Sequence, residues 1–295
     1  MQLHRFHQLF KLAAKCYLKP METRYEADFS RRFGGIARSY GDLALQRFQA
    51  AHVCVVGVGG VGSWAVEALA RSAIGKLTLI DLDNVAESNI NRQLPALSST
   101  IGAPKIEVLQ TRILDINPSC QVQLIEDFVE LETISQFISK EMDYVIDCID
   151  NFRVKAALIA YCKRHKIRVI TLGGAGGQRD PSQIRLGDLA RSQQDPLLAK
   201  VRKQLRQEYN FSRNPKRRFE VTCVWSEEQM RFPTAEGGLC SGRPTDTAGT
   251  SLSCAGGLGS VMTVTASFAL FAVSHVLGKL ASSEKLQPAA ENSTS

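Results

Sequence analysis

The chain has 295 residues, of which 44% are hydrophobic and 22% are charged. This length suits one large α/β domain or two small ones, and the composition is ordinary for a soluble globular protein. Eight cysteines are scattered along the chain without a Cys-x-x-Cys pair. A structural zinc site and a disulfide framework therefore have no support, and the cysteines favour a reducing, cytoplasmic location.

The net charge of +7 is concentrated in one stretch, residues 200–218, which we call the basic segment. It carries eight basic residues and one acidic residue, so the rest of the chain is electrically balanced. Such a concentration predicts a polyanionic partner or, alternatively, a solvated helix and loop. The candidate contacts are Lys200, Arg202, Lys203, Arg206, Lys216, Arg217 and Arg218.

The two ends of the chain differ in composition from its middle. Residues 1–20 are basic and contain no acidic residue, which fits a targeting peptide, an amphipathic surface helix or an extension upstream of a start at Met21. We favour the last of these and place the N-terminal extension at residues 1–24. A single domain is expected over residues 25–281, followed by a disordered polar tail at 282–295. Residues 261–278 are largely apolar but are interrupted by Thr, Ser and His, which predicts a buried helix and no membrane span.

The chain is organised around an apolar run with closely spaced glycines at residues 53–62. We expect a buried strand that turns into a helix over about residues 60–74. A second strand at 76–80 ends at Asp81 and Asp83, and Asp81 lies 24 positions after the first glycine. That distance is close to the ~20 positions expected of an acid that binds a nucleotide ribose. Four glycines would let a phosphate approach the helix N-terminus: Gly57, Gly59, Gly60 and Gly62.

A long loop, residues 84–103, separates the second strand from the next helix. Connections of about this length are uncommon in compact domains and are often functional. Pro104 opens the following helix and places Lys105 at its positive end, which makes sense if an anion binds there. The polar side chains of the loop are Asn89, Asn91, Arg92 and Gln93.

The remaining elements continue an alternation of strands and helices. A glycine pair, Gly34-Gly35, precedes them and indicates either a mobile arm or the start of the fold. The alternation predicts a doubly wound, mostly parallel Rossmann-like α/β sheet, with an irregular C-terminal half and a buried C-terminal helix. Asp150 would either bind a ligand at the carboxyl edge of this sheet or cap the helix that follows it. The predicted elements are helices at 41–48, 104–116, 131–139 and 152–165 and strands at 120–125, 144–149, 167–172, 183–186 and 219–225.

Five motifs occur in a fixed order along the chain, and together they resemble the ubiquitin-activating-enzyme-like adenylyltransferases over about residues 32–280. The motifs are Gly57-x-Gly59-Gly60-x-Gly62, Asp81-x-Asp83, Asn89-x-x-Arg92-Gln93, Pro104-Lys105 and Asp147-Cys148-x-Asp150-Asn151. The resemblance implies ATP on the glycine loop with Asp81 at its ribose, and Asn89, Arg92 and Lys105 at its phosphates. It also implies that Asp150 holds Mg²⁺, and that Arg92, Lys105 and Asp150 carry the catalysis.

Four further stretches resemble one branch of that family, which cyclises threonylcarbamoyladenosine in tRNA. They are residues 32–35, 173–181, 194–197 and 223–228. The resemblance implies a cytoplasmic enzyme that adenylates the nucleoside carboxylate and closes it on its own carbamoyl part, with net loss of water. It implies tRNA as a partner and a homodimer, and it leaves open whether a sulfur-transfer protein assists.

The sequence departs in two ways from the carrier-protein activators of the family. Their two Cys-x-x-Cys zinc pairs are missing, and Gly35 stands where they place an N-terminal arginine on the nucleotide. Arg38 could take that role. Cys223 could act as a thiol relay or could be plain strand core.

Three other functions remain compatible with a glycine loop. One is an adenylyltransferase for a ubiquitin-like sulfur carrier, against which the missing zinc cysteines and the basic segment count. Another is an NAD(P)-dependent oxidoreductase, in which Arg92, Lys105 and Asp150 would have no evident role. The third is a nucleotide-sensing module without chemistry.

Overall fold

The computed structural model describes residues 26–234, 237–241 and 258–284. The predicted extension at 1–24 and residues 285–295 of the predicted tail lie outside the described residues. Contacts divide the chain into two units between Gly34 and Gly35, and the second unit holds all the strands of the described part. The predicted domain boundaries remain a prediction.

Seven strands form one sheet in the order β3-β2-β1-β4-β5-β7-β6. Every neighbouring pair is parallel except β6 and β7, which are antiparallel. The predicted doubly wound, mostly parallel sheet is confirmed. The seven strands are β1 (His52–Val56), β2 (Lys76–Ile80), β3 (Gln121–Ile125), β4 (Tyr144–Asp147), β5 (Val169–Leu172), β6 (Ile184–Asp188) and β7 (Thr222–Ser226). Two short strands, β8 (Phe232–Pro233) and β9 (Leu239–Cys240), pair separately.

Helices cover both faces of this sheet. Strand side chains alternate between the faces, as a strand period of two requires. On β1, Val53 and Val55 join the core with α2, α3, α4 and α8, whereas Cys54 and Val56 join the core with α5, α6 and α7. The helices are α1 (Phe29–Tyr40), α2 (Asp42–Ala50), α3 (Gly62–Arg71), α4 (Lys105–Ile116), α5 (Ile134–Phe137), α6 (Phe152–His165), α7 (Pro196–Glu208) and α8 (Met262–Ala281).

Helix α8 is the apolar segment near the C-terminus. Its length and hydropathy alone would allow it to cross a membrane. Ten of its residues are nevertheless buried, and it packs against α2 and α3. It is therefore the predicted buried core helix.

Several predicted elements differ from the structure in extent. The helix predicted at 131–139 is the single turn α5, and the Thr133 hydroxyl just before it accepts the backbone N–H of Glu130. Helix α3 ends at Arg71, before Ala73 takes a left-handed conformation with φ +62°. Gly34 and Gly35 lie inside α1. In the C-terminal half, the strands predicted at 183–186 and 219–225 are present as β6 and β7, and helix α7 lies between them in the chain.

Candidate nucleotide site at the carboxyl edge of the sheet

A cavity of about 1000 Å³ opens at the carboxyl edge of the sheet. It lies where β1 and β4 are neighbours and the helices after them, α3 and α6, cover opposite faces. Ligands of open α/β sheets bind at this kind of switch point. All the predicted nucleotide-binding and catalytic residues line it: Gly57, Gly59, Gly60, Gly62, Asp81, Asp83, Asn89, Arg92, Gln93, Lys105 and Asp150.

The glycine loop exposes its backbone to the cavity. Gly57 has φ +81°, and a Cβ on Gly62 would lie 1.9 Å from the Gly57 carbonyl oxygen, so neither position accepts a side chain. A Cβ on Gly59 would meet the Gln93 side chain at 3.8 Å, and a Cβ on Gly60 would meet the side chains of Arg92, at 3.5 Å, and Thr265, at 3.6 Å. These two glycines therefore leave free space in front of the N-terminus of α3, which suits an anionic ligand.

Asp81 ties the end of β2 to the glycine loop. Its two carboxylate oxygens accept the backbone N–H groups of Val58, at 2.7 Å, and of Asp83, at 2.9 Å. Burial raises the pKa of Asp81, and Lys105 together with the two N–H groups opposes that rise. Asp81 thus stabilises the glycine loop. The predicted contact with the ribose would be a second role of the same side chain.

Two cations are held in fixed directions at the wall of the cavity. The Lys105 side chain is almost completely buried at the N-terminus of α4, and its Nζ lies 2.8 Å from an Asp83 carboxylate oxygen. The Arg92 guanidinium donates to the Ser88 carbonyl at 2.8 Å and to the Asn91 side-chain oxygen at 2.9 Å. Both charges are therefore positioned before a ligand arrives.

Asn89 and Gln93 supply amide groups to the same wall. The Asn89 side-chain oxygen accepts the backbone N–H of Ala86 at 3.1 Å. The Gln93 side-chain oxygen is buried and has no hydrogen-bond partner among the described residues. Leaving such an acceptor unpaired costs about 1–3 kcal/mol. A donor from a bound nucleotide would satisfy it, so this residue fits the predicted ligand.

Asp150 is exposed at the end of β4 and has no hydrogen bond or ion pair in the part of the chain that the structure describes. The helix-cap interpretation of Asp150 is wrong, because Asn151 caps α6 by accepting the backbone N–H groups of Arg153 and Val154. No group of three or more acidic, His or Cys side chains suited to a metal occurs among the described residues. Mg²⁺ in nucleotide sites needs only one or two carboxylates plus phosphates, so Asp150 fits that ion.

A buried ion pair lies at the end of β4 and was missed by the sequence analysis. Lys155 of α6 places its Nζ 2.9 Å from Asp147, and both side chains are fully buried. The same ammonium donates to the Asp147 carbonyl at 3.1 Å, and the Thr171 hydroxyl donates to the Asp147 carboxylate at 2.7 Å. The network joins α6, β4 and β5 directly behind Asp150.

Asp195 fixes the wall of the cavity beside β5. Its carboxylate accepts the N–H groups of Gly174, at 2.9 Å, and of Leu198, at 2.8 Å. Burial raises the pKa of Asp195, and these N–H groups oppose the rise. A Cβ on Gly173 would lie 1.9 Å from the same carboxylate, so this close approach requires glycine. The glycine-rich stretch after β5 is thereby joined to the start of α7.

Sequence reasoning did not single out several residues that line the cavity. Three of them follow β3, whose position beside β2 could have identified them. They are Asp127, Phe128 and Val129, to which Cys148, Phe152, Leu197, Ser260 and Thr265 are added from other elements.

Other marked stretches lie away from the cavity. The Glu228 carboxylate accepts the N–H groups of Arg179 and Asp180, at 2.9 and 2.8 Å. These hydrogen bonds join the stretches 178–181 and 226–228, so both have a structural role. Cys223 is completely buried in β7, and burial raises the pKa of its thiol. Arg38 is exposed on α1 and does not line the cavity.

The structure separates the seven basic candidates into three groups. Lys200 lines the cavity and is itself exposed. Arg202 and Arg206 are partly buried: Arg202 donates to the Ser192 hydroxyl, and Arg206 lies 5.1 Å over the Phe219 ring. The remaining four are exposed: Lys203, Lys216, Arg217 and Arg218.

Comparison with known proteins agrees with this geometry. The profile of the ThiF family matches residues 34–293, and the chain belongs to that family. A tRNA threonylcarbamoyladenosine dehydratase of Haemophilus influenzae is 54% identical over 86% of this chain and 94% of its own length. The E. coli tRNA N6-threonylcarbamoyladenosine dehydratase, solved with ATP and with AMP, matches with a TM-score of 0.76 and 48% identity in both cases. Each match covers 85% of this chain and 94% of that one.

We expect Lys155→Met to lower the free energy of unfolding by about 3–5 kcal/mol, because it leaves the buried Asp147 carboxylate without its cation. Urea unfolding followed by circular dichroism measures the change. The double variant Lys155→Met/Asp147→Leu removes both charges and should recover most of the loss. A single variant as stable as the wild type would show that the pair does not hold the site.

Proposed function

We propose that this protein catalyses the ATP-dependent cyclisation, with net dehydration, of threonylcarbamoyladenosine in tRNA. The observation that carries the proposal is the cavity that gathers the glycine loop, Arg92, Lys105 and Asp150, whose carboxylate has no partner among the described residues. A hydride transfer has no need for two fixed cations and a free carboxylate. The dehydratases that match nearly their full lengths to this chain support the same reaction.

The chemical difficulty is the approach of one anion to another. The nucleoside carboxylate must attack the α-phosphorus of ATP, and negative charge builds up on the phosphates as pyrophosphate leaves. Arg92 and Lys105 would neutralise that charge from the wall of the cavity, in positions that need no rearrangement. A Mg²⁺ ion held by Asp150 would add to this stabilisation. The carbamoyl part of the same group then displaces AMP and closes the ring.

The finer expectations belong to this proposal. They are Mg²⁺ at Asp150, the individual nucleotide contacts, a homodimer, a cytoplasmic location and tRNA contact through the basic segment. A sulfur-transfer protein as a further partner rests only on the resemblance to the carrier-protein activators.

The reaction is tested by incubating the full chain with ATP, Mg²⁺ and tRNA that carries linear threonylcarbamoyladenosine. Mass spectrometry of the digested nucleosides should show the loss of one water mass. An unchanged mass, with AMP and pyrophosphate formed only when a ubiquitin-like carrier protein is added, would favour carrier activation.

We expect Asp150→Asn to lower kcat by about hundredfold or more, because it removes the carboxylate that would hold Mg²⁺ beside the reacting phosphate. Glu107→Gln on the exposed first turn of α4 is the matched control and should change kcat by less than about twofold. Equal activity of the two variants, measured by the same assay, would exclude Asp150 from the reaction.

We expect Cys223→Ala to keep cyclisation within about threefold of the wild type, since its thiol is strand core and lines no part of the cavity. The same nucleoside assay measures the rate. A decrease of about hundredfold in a variant that keeps its circular dichroism spectrum would favour a thiol relay.

We expect Arg217→Glu/Arg218→Glu to weaken tRNA binding and to reduce the slope of log affinity against log salt by about one for each phosphate that is no longer neutralised. Fluorescence anisotropy at several salt concentrations measures both quantities. Lys140→Glu/Arg164→Glu makes the same charge change at two exposed sites on other elements and is the control. Identical salt slopes for the two double variants would indicate that residues 217 and 218 form a merely solvated surface.

A further inference from the structure

The cavity extends from its nucleotide end toward β5. Along the carboxyl edge, the glycine loop follows β1, Asp81 and Asp83 follow β2, and Asp150 follows β4. The next strand, β5, brings the glycine-rich stretch 173–176, and the start of α7 is joined to it through Asp195. Asp150 therefore separates the predicted phosphate contacts from a second end of the cavity, which we call the β5 end.

One charged side chain lines the β5 end within the described residues, and it is Lys200 of α7. Its ammonium lies 5.7 Å from the centre of the Phe152 ring, which also lines the cavity. No carboxylate pairs with Lys200 in the described ranges, whereas Lys105 is paired with Asp83. Lys200 therefore adds an uncompensated positive charge to the cavity.

The neighbouring acids do not cancel this charge by an ion pair. The Asp195 carboxylate accepts hydrogen bonds from two backbone N–H groups. Asp147 is paired with Lys155 in the buried network. The β5 end is thus an apolar and glycine-rich pocket with one available cation. Such a pocket suits a small group that carries a single negative charge.

We propose that Lys200 binds the carboxylate of the threonylcarbamoyl group and holds it facing the α-phosphate before the attack. This inference rests on the proposed function, which requires a carboxylate on the substrate side of Asp150. Since Arg92 and Lys105 are proposed to contact the ATP phosphates, the substrate carboxylate needs a different positive charge to bind. An ammonium is a flexible point charge, and it can follow the carboxylate as that group moves.

The test compares Lys200→Met with Lys140→Met, which removes the same charge at an exposed position that lies outside the basic segment and does not line the cavity. Wild-type cyclisation of modified tRNA is measured first, and its absence would refute the proposed function and this inference together. With an active wild type, we expect Lys200→Met to decrease kcat/KM for modified tRNA by at least about tenfold, because one charged hydrogen bond is removed. KM for ATP should stay unchanged, and Lys140→Met should stay within about twofold.

Binding of two tRNAs identifies the anion that Lys200 contacts. Anisotropy is measured with tRNA that carries threonylcarbamoyladenosine and with the same tRNA carrying plain adenosine at that position. Weaker binding of the modified tRNA alone, with recovery in Lys200→Arg, supports contact with the carboxylate. Equal weakening for both tRNAs, with a smaller salt slope, would assign Lys200 to a backbone phosphate and overturn the proposal. Wild-type kcat/KM in Lys200→Met would also overturn it.

Discussion

The cavity depends on a fully buried ion pair between Asp147 at the end of β4 and Lys155 on α6. Burying two charges costs several kcal/mol per ion, and the cost is offset only when the remaining polar atoms are paired. Here the Asp147 carboxylate also accepts from the Thr171 hydroxyl and from the Ile149 backbone N–H, and Lys155 also donates to the Asp147 carbonyl. Two parallel strands and one helix are thereby fixed together where the ligand edge of the sheet begins. The backbone that carries Asp150 follows directly from this network.

Backbone N–H groups determine which carboxylates remain available in the cavity. Asp81 and Asp195 lie at its two ends, and each accepts two N–H groups from loops that would otherwise carry unpaired donors. These two acids therefore shape the walls, while Asp150 keeps its carboxylate unpartnered within the described residues. The cavity combines fixed cations with one free acid, which is the distribution that phosphate and a divalent cation together require.

The sequence predicted which residues gather at this edge of the sheet, because the signals for them are local. The apolar run before Gly57 allowed only a buried strand, and both strand 76–80 and helix 152–165 have the predicted bounds. The contributions of Lys155 and Asp195 could not be predicted. Asp195 binds Gly174, 21 residues earlier, and Lys155 joins Asp147 to Thr171 of the next strand, 16 residues later. Local periodicity does not tell which strands become neighbours. The pairing of β5 with β7, which skips β6, is likewise a long-range choice.

Helix α7 links two properties of the chain that seemed separate in the sequence. Its first turn is anchored by Asp195 at the wall of the cavity, and its later residues begin the exposed part of the basic segment. One rigid helix therefore carries positive charge from the β5 end, at Lys200, to the protein surface, at Lys203. If the exposed basic residues bind tRNA phosphates as proposed, α7 both binds the tRNA and sets the distance from the bound tRNA backbone to the cavity. A substrate group on a tRNA would then be selected by its distance from the docked tRNA backbone as well as by its charge. A free nucleoside has no docked backbone and would be selected by its charge alone.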